Sequence, residues 1–246
     1  VFIDPLVQTF GWTRGEISVA YSIAYIVGMP AVVLMGWLGD RYGTRPLMLG
    51  AAVMIGGGTM LLGTINTLWE FYVYYSVFVG SLGHAAFSVL LPVIITRWFH
   101  KNVGIASGVY WASQGLGPVI FAPLFRHLIE TQGWEHTFTL VGVVVGCILA
   151  FFSLFIYGKP SHLGVLPYGM DPNTKAEEKP VAKPTVPLRE ILKDRKVWKL
   201  WTIHHIGCVS HAVVLAHVVS MATFKGLGGV QAAGVLATIA GTSIVS

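Results

Sequence analysis

Charged positions along this chain fall in short groups, separated by long stretches that hold none. Stretches free of Asp, Glu, Lys and Arg run over 17–39, 46–69, 71–96, 102–125, 136–158, 200–224 and 226–246, with lengths of 23, 24, 26, 24, 23, 25 and 21 residues. A helix rises about 1.5 Å per residue and a bilayer core is about 30 Å thick, so about 18 apolar residues can cross it. Each stretch therefore predicts a transmembrane helix. Val1 to Gln8, apolar apart from Asp4, predicts the end of one more helix ahead of them. The chain does not open on Met and both its ends lie in apolar sequence, so it reads as a piece of a longer protein. Helices 2 to 7 are expected whole, helices 1 and 8 in part. The predicted fold class is an all-α, multi-pass membrane protein.

The charged groups between the stretches give the orientation. Placing the tip with Arg41 and Arg45 in the cytoplasm puts Arg97, Lys101, Lys159 and the basic residues from Lys175 to Lys199 on that side too. Thirteen basic residues then lie inside and three, Arg14, Arg126 and Lys225, outside. That asymmetry is the one expected of a membrane protein. It also changes the meaning of the net charge of +5, which in a soluble chain would suggest nucleic acid. Composition agrees: 54% apolar residues, 11% charged and a mean hydropathy of +0.68, where soluble domains carry about 25% charged residues. Cys147 and Cys208 lie in separate apolar stretches, which suggests neither a disulfide framework nor a metal cluster. From Lys159 to Lys199 the prolines 160, 167, 172, 180, 184 and 187 alternate with Lys and Glu, as in a solvated linker. Leu188, Ile191 and Leu192 predict a short interfacial helix at its end, leading into helix 7. Gly56-Gly57-Gly58, the Gly104–Gly108 pair, Gly115-x-Gly117 and the Gly142–Gly146 pair predict close helix packing.

The tip between the first two complete helices reads Gly36-Trp37-Leu38-Gly39-Asp40-Arg41-Tyr42-Gly43-Thr44-Arg45. Glycines let two helix ends approach and turn sharply, Asp40 can cap or pair, and the arginines hold the tip in water. The pattern Gly-x-Leu-Gly-Asp-Arg-x-Gly-x-Arg resembles the signature loop of the major facilitator superfamily of secondary transporters. The resemblance implies two six-helix halves. On it, residues 1–158 form the N-terminal six-helix bundle with helix 1 truncated, 159–199 a cytoplasmic linker, and 200–246 helices 7 and 8 of the second bundle. It also implies that the loop Gly36, Asp40, Arg41, Gly43 and Arg45 gates transport by contacting the opposite half in one state.

Three further segments narrow the resemblance. Arg97-Trp98-Phe99-His100-Lys101-Asn102-Val103-Gly104-Ile105-Ala106-Ser107-Gly108, continuing through Ala112 and Gly117, is similar to the fifth-helix signature of monocarboxylate porters and oxalate–formate exchangers. Phe10-Gly11-Trp12-Thr13-Arg14 resembles the segment those porters place before helix 2, and Lys159 to Pro167 the one leaving their sixth helix. Asn102 and Ser113 depart from the pattern, standing where a basic residue and a glycine are common.

Polar side chains at bilayer depth are costly, so each is a candidate for a pathway or a helix contact. His84, Gln114 and His211 fall at the centres of their stretches. The resemblance places all three near the substrate, since helices 1, 4 and 7 line the superfamily's central cavity with helix 5 beside it. Tyr110 and Trp111, one turn from Gln114, can supply an aromatic wall, and His217 lies toward the outer end of helix 7. Each of these can equally serve packing within the bundle. Neither a catalytic triad, a nucleotide-binding loop nor a metal cluster is visible, so no enzyme activity and no cofactor is expected, and gradients rather than ATP would drive transport. Helix 4 lacks the Arg that many drug–proton antiporters carry. The function implied is secondary transport of small organic anions, monocarboxylates or a dicarboxylate, by proton symport or anion exchange across the plasma or inner membrane. The partners expected are the anion, protons or a counter-anion, and the lipid bilayer. A carrier for another small solute, or a non-transporting membrane sensor or scaffold, stays open.

Overall fold

A computed structural model describes residues 2–170, 190 and 193–242, without the side chains of 204, 205, 211, 212, 215, 216 and 240–242. Eight helices follow the apolar stretches. They are α1 (Ile3–Phe10), α2 (Arg14–Tyr42), α3 (Thr44–Leu61), α4 (Leu68–Trp98), α5 (Val103–Gln132), α6 (Trp134–Phe155), α7 (Arg195–Phe224) and α8 (Gly229–Thr242). No strand occurs among the described residues. By length and composition α2, α4, α6 and α3 with its closing turn (Thr44–Thr64) can cross a bilayer. The helices α5 and α7, with 30 residues each, have the length but carry more polar positions. In the most apolar window of α6 only 17% is buried. Val33, Ile26 and Val53 are likewise more than two-thirds exposed. Apolar side chains on the outside are what lipid as solvent permits.

The helix ends are set by local chemistry. Thr13 and Glu16 form a reciprocal cap on α2: the Glu16 amide donates to Thr13 Oγ1 (3.2 Å) and the Thr13 amide to Glu16 Oε2 (2.8 Å). Thr67 and Glu70 repeat the device at the start of α4. Such boxes satisfy helix-terminal amides that would otherwise lack partners. Two hairpins turn on a single residue. Gly43 (φ 87°, ψ 164°) joins α2 to α3, and Gly133 (φ 83°, ψ 163°) joins α5 to α6. That region of backbone space is open to glycine almost alone.

Packing is tightest where side chains are missing. A Cβ placed on Gly56 would lie 2.5 Å from the Cα of Gly146, and one on Gly142 would run into the backbone of Met60 and Gly56. So α3 and α6 meet backbone to backbone, at the small residues that the sequence marks for it. The Gly104–Gly108 pair differs: both face open space among the described residues. Between α2 and α4, Gly39 sits against Leu90 and Gly80 against Ala24. Buried serines add polar contacts there. Ser76 Oγ donates to the carbonyl of Ala20, and Ser81 Oγ to that of Ala24, each at 2.8 Å. Within α4, Tyr72–Gly83 adopts the wider π-helical turn, and Ser81 Oγ also reaches the carbonyl of Ser76 five residues back.

Helices α7 and α8 meet the earlier helices chiefly through α5. α8 packs on α5, and α7 on α8. Among the described side chains of α7, Val219 and Ser220 are buried, whereas Leu200, Ile203 and Ile206 are exposed.

The segment after α6, where the solvated linker is expected to begin, is locally ordered. A short 3₁₀ turn spans Pro160–Leu163, and Tyr168 joins the α4–α5 loop. Its amide donates to the carbonyl of Trp98 (2.7 Å), and its carbonyl accepts from the amides of His100 (2.9 Å) and Lys101 (3.1 Å). Those loop groups lack helical partners, and a neighbouring strand-like residue supplies them. The rest of the linker to residue 189, and Leu188, Ile191 and Leu192 of the expected interfacial helix, lie outside the described residues. Arg195 to Lys199 form the first turns of α7, capped by Asp194.

These turns and contacts predict three stability outcomes. Gly133→Ala should lower stability by about 1–3 kcal/mol through backbone strain, read as a lower thermal midpoint in detergent. Gly57→Ala, whose Cβ meets open space inside a helix, should be neutral or stabilising by about 0.5–1 kcal/mol. Gly142→Ala should pry α3 from α6 and lower the same midpoint by more than Gly57→Ala changes it.

Candidate functional site

The site lies along α2. Ser18, Tyr21, Ser22 and Tyr25 occupy positions i, i+3, i+4 and i+7, which share one helix face. The opposite side of α2 is used up by α4: Ala20 and Ala24 are buried there and accept the serine hydroxyls. The hydroxyl face is thereby turned toward α7, which presents Cys208, Val209, Val213 and His217. Together these residues, with Ile26 and Met29, line a cleft of about 530 Å³.

Beside it lies a second cavity of about 370 Å³, lined by Phe2, Leu6, Tyr75, Phe121, Phe125 and others, and reached by Val219 of α7 and Leu236 of α8. Tyr21 lines both spaces. Its ring lies 5.3 Å from that of Tyr75, which stacks on Phe71 at 5.6 Å. Phe2 stacks on Phe138 (4.0 Å), so the floor beneath is aromatic and closely packed.

Neither space is lined by Asp or Glu. The polar groups of the cleft are hydroxyls, one thiol and the His217 imidazole. Hydroxyls donate to carboxylate or carbonyl oxygens, and histidine is the residue type that exchanges a proton near neutral pH. Such a lining suits a small organic solute with oxygen acceptors, held against an apolar wall.

Of the pathway residues expected from sequence, His217 lines the cleft. His211 sits on α7 between Cys208 and His217, and its side chain lies outside those described. Tyr110, Trp111 and Gln114 form a separate group on α5. There Gln114 Nε2 donates to the Tyr110 hydroxyl at 3.4 Å, Tyr110 meets Trp111 edge-on at 5.1 Å, and Trp111 is 63% exposed. His84 is exposed where α4 returns from π to α geometry. None of these four lines either cavity. The residues missed are Ser18, Tyr21, Ser22 and Tyr25, whose helical spacing becomes a signal only once the packing of α2 on α4 fixes which way that face turns.

The loop at the other end of α2 is built around Gly43. Asp40 pairs with Arg97 at the end of α4 (3.2 Å), a partner that the sequence reading did not name. Asp40 is 77% exposed, so the pair alone contributes little, about 0–1 kcal/mol. Arg41 lies over the rings of Trp37 (5.4 Å) and Tyr42 (5.6 Å), and Arg45 over Tyr157 (5.7 Å). Gly36 lies near Val89 and Gly39 against Leu90, so both glycines serve the approach of α2 to α4.

Comparison with known proteins agrees with this architecture. The chain is 24% identical over 203 residues to the oxalate:formate antiporter of Oxalobacter formigenes, covering 82% of the chain and 45% of the relative. It is 29% identical over 147 residues to monocarboxylate transporter 9 of Gallus gallus, covering 60% of the chain and 29% of the relative. It is 27% identical over 157 residues to the probable galactarate/D-glucarate transporter GudP of Escherichia coli, covering 61% and 34%. The chain thus spans less than half the length of these relatives. The family described as the Major Facilitator Superfamily matches residues 1–246, the whole chain, and the protein belongs to it, a multi-pass membrane protein.

Proposed function

We propose that this chain is part of a secondary transporter of small organic anions, monocarboxylates or a short dicarboxylate, working by proton symport or anion exchange. The observation that carries the reading is the α2–α7 cleft, lined by four hydroxyl-bearing residues and one histidine, with no carboxylate to repel an anion. The names of the relatives, which concern oxalate, formate, monocarboxylates and glucarate, support the same class. In this reading residues 1–158 are one six-helix half, 159–199 the cytoplasmic linker, and 200–246 the start of the second half, in a plasma or inner membrane.

The mechanism follows from the cleft's position between the halves. A carboxylate accepts hydrogen bonds from Tyr21, Ser22 and Tyr25, while the Ser18 hydroxyl is held by the carbonyl of Arg14 (2.8 Å) and a protonated His217 supplies the charge it needs. Rocking of α7 and α8 against α2 and α5 would then expose the cleft to alternate sides. Binding stabilises only the states with which the anion makes better contacts. Loss of the His217 proton on release would couple anion movement to proton movement. Tyr110, Trp111, Gln114, His84 and His211 would line the continuation of the path. The Asp40 loop would hold one state at the opposite end, with Arg97 as the anchor.

In proteoliposomes of the whole transporter, uptake of labelled oxalate, formate and lactate at pH 6 and pH 7.5 should show carboxylate transport that is faster at the lower pH. His217→Gln should cut uptake on the order of tenfold, as for loss of a charge-assisted contact, and flatten the pH dependence. A His217→Gln protein with normal, pH-dependent uptake rules the role out, and absence of carboxylate uptake altogether rules out the substrate class. Asp40→Asn should slow turnover up to about fivefold, the scale of an exposed ion pair, with substrate affinity little changed. Unaltered turnover would count against a gating role.

A further inference from the structure

Among the described residues, a concentration of unmatched charge lies at the other end of α2 from the cleft. Where α2 ends, a cavity of about 500 Å³ is lined by Arg41, Arg45, Arg97 and Lys159, against the single carboxylate of Asp40. Three helix connections build it: the Gly43 turn, the end of α4 and the exit from α6. Asp40 is paired with Arg97. That leaves Arg41, Arg45 and Lys159 with no ion-pair partner among the described residues. The two arginines rest on aromatic rings instead. Thr44, only 4% exposed, also lines this cavity. Gly158 closes the wall beside it: a Cβ there would come within 2.5 Å of Thr44 Oγ1.

Three cations brought together without a counter-charge repel one another. An anion with several acceptor oxygens would relieve that repulsion, and the Thr44 hydroxyl could donate to it. Guanidinium groups donate to such oxygens in pairs, and the ring stacking of Arg41 and Arg45 limits how far their heads wander. The cavity also lies at the level where the apolar spans stop, with Trp37, Tyr42 and Tyr157 around it, as expected at a membrane–water boundary.

We infer that this cavity is a phosphate-binding site, taking either the phosphate of an anionic lipid headgroup or free inorganic phosphate, through Arg45, Lys159, Arg41 and the Thr44 hydroxyl. It is separate from the transport cleft and stands whether or not that cleft carries carboxylates.

The test uses the purified protein in detergent. Retention of phosphatidic acid against phosphatidylcholine is measured by native mass spectrometry, and the thermal midpoint is followed with inorganic phosphate against chloride at equal ionic strength. Retention of phosphatidic acid without a phosphate effect assigns the site to a lipid headgroup; a midpoint raised by phosphate that also displaces the lipid assigns it to the free ion. Arg45→Gln and Lys159→Gln should each weaken binding on the order of tenfold, as for the loss of a charge-assisted hydrogen bond, and Arg45→Lys should retain most of it. If the unsubstituted protein prefers neither phosphate probe over its control, the inference is wrong. Equal binding by both Gln variants, each eluting as a folded species, overturns it as well.

Discussion

Backbone-to-backbone contact between helices is the constraint on which this structure rests. In lipid, apolar side chains gain nothing by leaving the solvent, so helices associate where they can come close and where polar groups meet across the gap. Both devices are present. Gly56, Gly142 and Gly146 bring α3 and α6 to direct backbone contact, and the Ser76 and Ser81 hydroxyls tie α4 to two carbonyls of α2. The few apolar clusters, such as Leu6, Ile17, Phe71, Trp134 and Phe138, sit near the helix ends and not along the whole bundle. Each close contact fixes the rotation of a helix about its axis. Rotation in turn decides which side chains face inward.

The hydroxyl face of α2 shows the consequence. Ala20, Ala24 and Gly39 must face α4, because serine hydroxyls and Leu90 occupy the space where larger side chains would go. With that side committed, Ser18, Tyr21, Ser22 and Tyr25 turn toward α7. The π-helical stretch of α4 belongs to the same arrangement. Its wider turn lets Ser76 and Ser81, five residues apart, both point at α2, where α-helical spacing would separate them by more than a quarter turn.

The helices were legible because lipid imposes one requirement on length and one on charge, and both can be counted. Gly56, Gly142 and Gly146 were legible for a similar reason, since small residues four apart have one dominant use in such helices. The π segment was not, because its cause is a hydroxyl contact between residues distant in sequence. His84 and Gln114 show where counting fails: mid-stretch position gives depth, but depth says nothing about azimuth. His217, off centre, reaches the cleft, whereas His84, at the centre of its stretch, does not line it. The tyrosines of α2 were hidden for the opposite reason. Tyrosine and serine are common in membrane helices, and only the packing of Ala20 and Ala24 against α4 gives their spacing a direction. Tyr168 was missed because a lone extended residue that satisfies a loop leaves no periodic trace.

The two ends of the bundle are built differently, and that difference bears on how it could move. At the Arg14 end, α1, α2, α4, α5 and α6 meet over stacked rings, with Val219 of α7 and Leu236 of α8 reaching in. At the Asp40 end, α2, α4 and the exit from α6 carry an exposed ion pair, stacked arginines and a basic cavity, while the described neighbouring residues of α7 are exposed. Aromatic packing resists separation because it would have to be replaced by lipid or water contacts of poorer fit, whereas exposed ion pairs exchange readily with solvent. A hinge would therefore form where α7 and α8 touch the aromatic end, and the larger displacement would occur at the basic end. For the cleft to open at the Arg14 side, the contacts of Val219 and Leu236 must give way, and contacts of comparable strength must form around the Asp40 loop. The single-residue turn at Gly43 suits it for that exchange, since it keeps Asp40, Arg41 and Arg45 on one short, stiff tip instead of spreading them along a flexible loop.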